Sequence, residues 1–204
     1  MKKLSVGLLI MTALLFSFVS AQETVTYTVQ SGDSMWRIAV KYQVGVSEII
    51  SSNPQVSNPN MIYPGQKLTI PTMQGIKALE SEVVRLVNVE RAKNGLQPLK
   101  ENWELSRVAR YKSQDMANKN YFSHTSPTYG SPFRMMESFG IRYSAAGENI
   151  AMGQQTPQAV MNAWMNSPGH RSNILSPSYG QIGVGLAKNK NGRAYWTQMF
   201  IKPL

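Results

Sequence analysis

The sequence predicts an α+β protein in two parts: a small strand–helix–helix–strand module, then a larger domain of helices on an antiparallel sheet. Three observations lead there. Residues 27–71 are almost uncharged and rich in Ser, Asn and Val, with two short alternating stretches flanking two helical ones. Residues 77–165 hold runs in which apolar side chains recur every three or four positions, the period of a helix with one buried face. The chain then closes with two alternating stretches joined by Lys190-Asn191-Gly192, a polar hairpin turn. Helices and strands in separate runs favour an α+β arrangement.

The first residues read as an export signal. Lys2 and Lys3 precede an almost wholly apolar run, Leu4 to Val19, and Val19-Ser20-Ala21 offers small residues for cleavage before Gln22. The other reading, an uncut membrane anchor, needs about 20 apolar residues, and this run is shorter. Residues 1–21 are thus expected to be a signal peptide, with no transmembrane segment after it. The 204 residues include no cysteine, so an exported domain must be held by its core alone, as suits a bacterial secreted protein. Lysine and arginine number 21 against 11 acidic residues, a formal net charge of +10. Beyond the leader nearly all of that excess follows residue 71, which favours an anionic surface such as a cell wall. Nucleic acid is not an expected partner, because no run of five basic residues occurs and the chain is exported.

In the first module Tyr27-Thr28-Val29 is a short strand, and Ser31-Gly32-Asp33-Ser34 is a turn whose side-chain oxygens can cap a helix. Met35, Ile38, Ala39 and Tyr42 then follow at helical spacing. Val46 to Ser51 is a second short helix, Asn53-Pro54 breaks it, and Lys67-Leu68-Thr69-Ile70 alternates as the closing strand. Residues 72–77 form a short linker without a Gly/Ser tract, so the two parts cannot stand far apart. Helices are expected over 77–94, with Gly95 as stop, over 103–118 and over 132–139. A fourth runs to Met165 from Thr156-Pro157, a cap followed by a first-turn proline. The last two strands cover 181–186 and 193–201.

Tyr27-Thr28-Val29-Gln30-Ser31-Gly32-Asp33-Ser34-Met35-Trp36-Arg37-Ile38-Ala39, with Asn58-Pro59-Asn60-Met61-Ile62-Tyr63-Pro64-Gly65-Gln66-Lys67-Leu68-Thr69-Ile70-Pro71, resembles a LysM domain from end to end. The resemblance implies binding of N-acetylglucosamine-containing glycans such as peptidoglycan or chitin. It places Gly32, Asp33, Ser34 and Met35 on one wall of the groove and Asn60, Met61 and Ile62 on the other. Turn amides suit acetamido groups, and apolar side chains suit sugar faces. Asp33 and Ser34 have an equal claim as helix caps, and Trp36 reads as a packing residue.

The rest of the chain resembles the cysteine-free bacterial form of the CAP superfamily (SCP-like extracellular proteins). The motifs are Asn88 to Arg91, Gly95-Leu96-Gln97-Pro98-Leu99, Tyr121-Phe122-Ser123-His124-Thr125-Ser126-Pro127, Gly147-Glu148-Asn149-Ile150, Trp164-Met165-Asn166-Ser167-Pro168-Gly169-His170, Gly183-Val184-Gly185 and Trp196-Thr197-Gln198. The resemblance implies an α-β-α sandwich whose cleft holds two histidines and two acidic residues. His124, Glu148 and His170 match three of them; at the fourth, Ser167 and Pro168 stand where an acid is expected. The expected organisation is a signal peptide over 1–21, a LysM domain over 22–71, a linker over 72–77 and a CAP domain over 78–204.

His124 and His170 are the chain's two histidines, and with Glu148 they read as lying in loop-like segments. Two neutral imidazoles and one carboxylate would satisfy a divalent metal, zinc above all, with a position open for water. Alternatively Glu148 would hold one histidine in a single tautomer as a general base, or the three would form a structural network tying loops together. A network or non-catalytic metal site is preferred to an enzyme. Ser123, Ser126 and Ser172 lie near the histidines, but none sits in a nucleophile turn. Met135, Met136, Met161, Met165, Trp164 and Trp196 read as core. The expected function is a secreted envelope protein that docks on peptidoglycan, in the cell wall or, by resemblance to sporulation-associated wall proteins, the spore envelope. The alternative is a metal-dependent hydrolase of wall peptides or glycans. A lipid carrier, a role of some family members, finds no cavity signature in the sequence.

Overall fold

Residues 23–204 are described in the computed structural model; the expected signal peptide lies outside them. The first strand, β1 (Thr24–Thr28), pairs antiparallel with β2 (Lys67–Pro71), Thr24 opposite Pro71 and Thr28 opposite Lys67. Between them run α1 (Met35–Tyr42) and α2 (Val46–Ser51). The Ser34 hydroxyl accepts the Arg37 amide at 3.2 Å, satisfying one of the orphan donors of a helix start. Met35, Ile38, Ala39, Val44, Ile49, Leu68 and Ile70 make the core of this module. Asn53, fully buried, holds α2 to β2: its amide nitrogen donates to the carbonyls of Ile49 and Thr69, and its oxygen accepts the Thr69 amide. Trp36 does not pack as expected. It is 65% exposed, because Met35, Ile38 and Ala39 take the inward arc of α1 and residue 36 falls a helical step outside it.

The next helix, α3 (Gln74–Lys93), begins inside the expected linker and leaves only Thr72 and Met73 as connection. The extra turn is held by the first module, which local periodicity does not show. The Glu23 carboxylate accepts the Gly75 amide at 3.1 Å, and Lys77 Nζ donates to the Tyr42 carbonyl at 2.8 Å. The order continues β3 (Lys100–Glu101), α4 (Trp103–Lys119), α5 (Pro132–Ser138), β4 (Ala145–Met152), α6 (Pro157–Met165), α7 (Pro168–Ile174), β5 (Gln181–Lys188) and β6 (Ala194–Lys202). The sheet order is β3-β5-β6-β4, with β3 parallel to β5 and the other pairs antiparallel.

Strand alternation divides the core between two faces. Ile182, Val184 and Leu186 of β5 pack with Trp196 and Phe200 of β6 against Val83, Val84 and Val87 of α3 and Val160, Met161 and Trp164 of α6. On the other face Met199 and Ile201 meet Leu105, Val108 and Ala109 of α4 and Met135 and Met136 of α5. The second domain is therefore an α-β-α sandwich. Gly183 and Gly185 are what let α4 lie flat on β5. A Cβ on the first would strike the backbone of Leu105 and Ser106, and on the second that of Ala109 and Arg110. No helix among the described residues is long and apolar enough to cross a membrane.

Candidate functional site

Two of the three expected site residues are not in loops. Glu148 is central in β4 and His170 lies in α7; only His124 is in a connection, between α4 and α5. β4 hides in the sequence because Gly147, Glu148 and Asn149 interrupt its apolar alternation. α7 is a seven-residue, proline-started helix whose one fully buried side chain is Ile174.

β4 is an edge strand, and its alternation sends neighbouring side chains to opposite faces. Ile150 packs with Met116 of α4, so Glu148 shares the α4 face. There its Oε1 lies 2.7 Å from Nδ1 of His124. The Glu148 side chain is almost wholly buried, whereas that of His124 is 54% exposed, so the imidazole carries the pair to the surface. The second carboxylate oxygen, Oε2, is buried and has no hydrogen-bond partner among the described residues. Burial pushes the Glu148 carboxyl above its ordinary value, against the opposing pull of the His124 hydrogen bond and the Lys112 charge.

Asn149 faces the other way. Its amide donates to the carbonyl of His170 at 3.1 Å and to Gln198, and its oxygen accepts from Asn173. On the α4 face, Lys112 Nζ, wholly buried, donates to the carbonyl of His124 at 2.6 Å. Each histidine is thus fixed through its main chain from inside the protein. His170 has its pKa lowered, first by desolvation and then by the charge of His124. Of the expected three-residue network the side chains of His124 and Glu148 are joined directly, whereas His170 is tied in only through its carbonyl by Asn149. Sequence reasoning missed Lys112; its signal was a lysine on the apolar face of α4, in register with Leu105, Val108, Ala109 and Met116.

The donor set limits what a metal could use. Among the described residues no three His, Cys, Asp or Glu side chains gather as a metal-holding group. Glu148 Oε1 is engaged with His124 Nδ1 and Oε2 is buried, so the carboxylate fits as the group that orients a ligand rather than as a ligand itself. His124, through Nε2, and His170 are what remains to hold a cation.

In the first module Val29 and Gln66 join the two expected groove walls: the Val29 amide donates to Gln66, and the Gly65 amide to Val29. Gly32 turns the chain at φ +85, a conformation glycine takes without strain. The Asp33 carboxylate accepts the Tyr27 hydroxyl at 2.6 Å and the Gln30 amide at 2.8 Å, and Ser34 caps α1, so both hold the turn. Met35 is a correction: its side chain is buried in the core and cannot line the groove. Asn60 is exposed, Met61 is 54% exposed, and Ile62 leans partly on the core. Met61 lines a recess of about 290 Å³ with Asn58, Tyr63 and Gln66. Tyr63, 60% exposed, was missed; an aromatic in a Pro/Gly loop was its signal.

A family model described as the cysteine-rich secretory protein family, CAP, matches residues 84–200, and a LysM domain model matches residues 27–71. The Bacillus subtilis uncharacterized protein YkwD is 56% identical over 133 residues, which are 65% of this chain and 51% of that protein. A Bacillus cereus spore coat assembly protein, ExsA, is 44% identical over 46 residues, 22% of this chain and 7% of that protein. Among solved structures, an extracellular SCP-domain protein of Bacillus anthracis aligns with a TM-score of 0.60 at 30% identity, covering 68% of this chain and 47% of that one. The chain thus spans about half the length of YkwD and less of the others.

Proposed function

This chain belongs to the cysteine-rich secretory protein (CAP) family and carries a LysM domain ahead of the CAP domain; on that footing we propose that it is an extracellular envelope protein that docks on N-acetylglucosamine glycans of peptidoglycan through the LysM groove and presents the His124–Glu148 pair there. The observation that carries the docking is the exposure of Met61 and Tyr63 in the loop before the closing strand. These two side chains stand beside a recess with polar Asn58 and Gln66, and the strand–helix turn of the module is held by Asp33 and Ser34. Rigid turns with exposed apolar and aromatic groups suit a sugar ring at low ordering cost. The test is co-sedimentation of the full chain with purified peptidoglycan at low and high salt. Neutral-sugar recognition persists at high salt, whereas retention that vanishes would leave only attraction by the basic second domain. The match to a spore coat assembly protein supports the spore envelope as the location, and imaging of a fluorescent fusion in sporulating and vegetative cells decides that point.

In the CAP domain we read a binding or metal-holding site. His124 and His170 would hold a divalent cation, zinc by the preference of imidazole, and that cation would supply Lewis acidity. The second reading, hydrolysis of wall peptides or glycans, draws on an exposed imidazole backed by a buried carboxylate, the arrangement of a general base. With Ser167 and Pro168 at the fourth position, that scheme has one carboxylate only. Release of soluble fragments from peptidoglycan by the full chain, with and without added zinc, separates the two.

A further inference from the structure

Trp36 is the largest exposed apolar side chain of the first module, and neither the groove nor the core uses it. It lines a second cavity, about 220 Å³, that opens between the two domains. The LysM side contributes Trp36 and Val40 of α1; the CAP side contributes Trp103, Glu104 and Arg107 of α4 with Phe139. The two sides are held together next to it. Ser47 and Tyr111 share a hydrogen bond of 3.2 Å, and Lys77 binds the Tyr42 carbonyl.

We propose that this interdomain cavity is a second sugar subsite, which takes one N-acetylated hexose unit of the glycan held by the LysM groove. The proposal rests on the docking function given above. Four features select a neutral sugar over other ligands. Two tryptophans, Trp36 and Trp103, line the cavity with flat apolar side chains of the kind that pack on the C–H face of a pyranose, and Phe139, stacked on Tyr111, closes its wall. Glu104 and Arg107 bring opposite charges within one turn of α4, so the cavity has hydrogen-bonding groups of both kinds without a net field for an ion. The Arg107 guanidinium lies 5.7 Å from the Tyr111 ring and 5.6 Å from the Phe139 ring, and its Nε is buried without a hydrogen-bond partner among the described residues. The two rings fix the guanidinium on the cavity wall as a positioned donor for a sugar oxygen. The volume, below the ~300 Å³ at which drug-sized sites begin, suits a single ring rather than a peptide segment.

Titration calorimetry of the full chain with the tetramer of N-acetylglucosamine tests the subsite. Trp36→Ala and Arg107→Gln should each weaken binding roughly ten-fold, as for central contacts of a recognition site. Trp36 is exposed, so its variant keeps the wild-type melting temperature and its loss of affinity is not a loss of fold. Met61→Ala, in the groove, should weaken binding independently. If wild type binds the tetramer and Met61→Ala weakens it, while Trp36→Ala and Arg107→Gln bind as wild type does, the interdomain subsite is overturned and the docking function stands. Failure of wild type to bind tetramer or peptidoglycan overturns both.

Discussion

His124 Nδ1 and Glu148 Oε1 meet at 2.7 Å across the edge strand of the sheet, with the acid buried and the base open to solvent. The asymmetry makes each depend on the other in a different way. Glu148 needs the imidazole as its one side-chain hydrogen-bond partner, since Oε2 has none among the described residues. His124 needs the carboxylate for orientation. His124→Ala should therefore cost roughly 1–3 kcal/mol, the penalty of leaving a buried polar group unpaired. The double change with Glu148→Leu should recover part of it. Urea unfolding of the two single variants and the double provides the cycle, and strictly additive losses would show that the pair is not coupled.

The strand glycines differ in what they face. At Gly185 an added methyl meets the backbone of α4, which cannot withdraw without lifting the helix, so Gly185→Ala should cost about 3 kcal/mol or prevent folding. At Gly147 the added Cβ would sit 2.6 Å from the hydroxyl of Tyr179, a side chain rather than backbone. Gly147→Ala should cost about 1 kcal/mol, and Tyr179→Phe should relieve part of that. Thermal melts of the three variants check the ranking, and equal losses at both glycines would refute it.

Asp115 holds the segment that carries His124. Its carboxylate accepts the hydroxyls of Tyr121 and Ser126, both at 2.7 Å, and that of Thr128. Burial alone would raise its pKa, but the hydrogen bonds from Thr128, Ser126 and Tyr121 and the Lys119 charge outweigh that and lower it from 3.8. A depressed carboxyl contributes stability that is present above its unfolded pKa and disappears as pH falls through the folded value. Asp115→Asn should thus lower the melting temperature at neutral pH and flatten its decline on acidification to pH ~2. Parallel acid limbs for wild type and variant would assign the decline to other groups.

Zinc titration separates an orienting carboxylate from a coordinating one. With Glu148 turned on His124, Glu148→Gln should weaken zinc binding about 10–100-fold, while His124→Ala should abolish it. Affinity should fall on acidification, because protons compete for the same nitrogens. Complete loss of uptake in Glu148→Gln would make the carboxylate a ligand, and equal heats for wild type and His124→Ala would remove the metal.

Most of the elements were legible because their signals are local. The cap at Thr156 with Pro157, the polar turn at 190–192 and the apolar period of α4 each specify their structure within a few residues. β4 and α7 were not legible, since their form comes from partners distant in sequence: β6 pairs along all of β4, and the Ile174 carbonyl that ends α7 is held by buried Arg91. The site followed the same division. His124, Glu148 and His170 could be named from their motifs, but not Lys112, which reads as one more lysine until the fold buries it beneath His124.

Residue types and spacing by themselves determined the two-part α+β organisation, because turns, caps and apolar periods act over short range, while the motifs carried both family resemblances and, through them, the three candidate site residues. Only the tertiary structure decided that Met35 is core and Trp36 surface, that α3 reaches back to Gln74, and that Glu148 points at His124 while Asn149 points toward α7. These outcomes depend on which face of a helix or strand another part of the chain covers. The pleat sends Glu148 and Asn149 to opposite sides whatever their chemistry, and packing of α4 and α7 against those sides gives each its role.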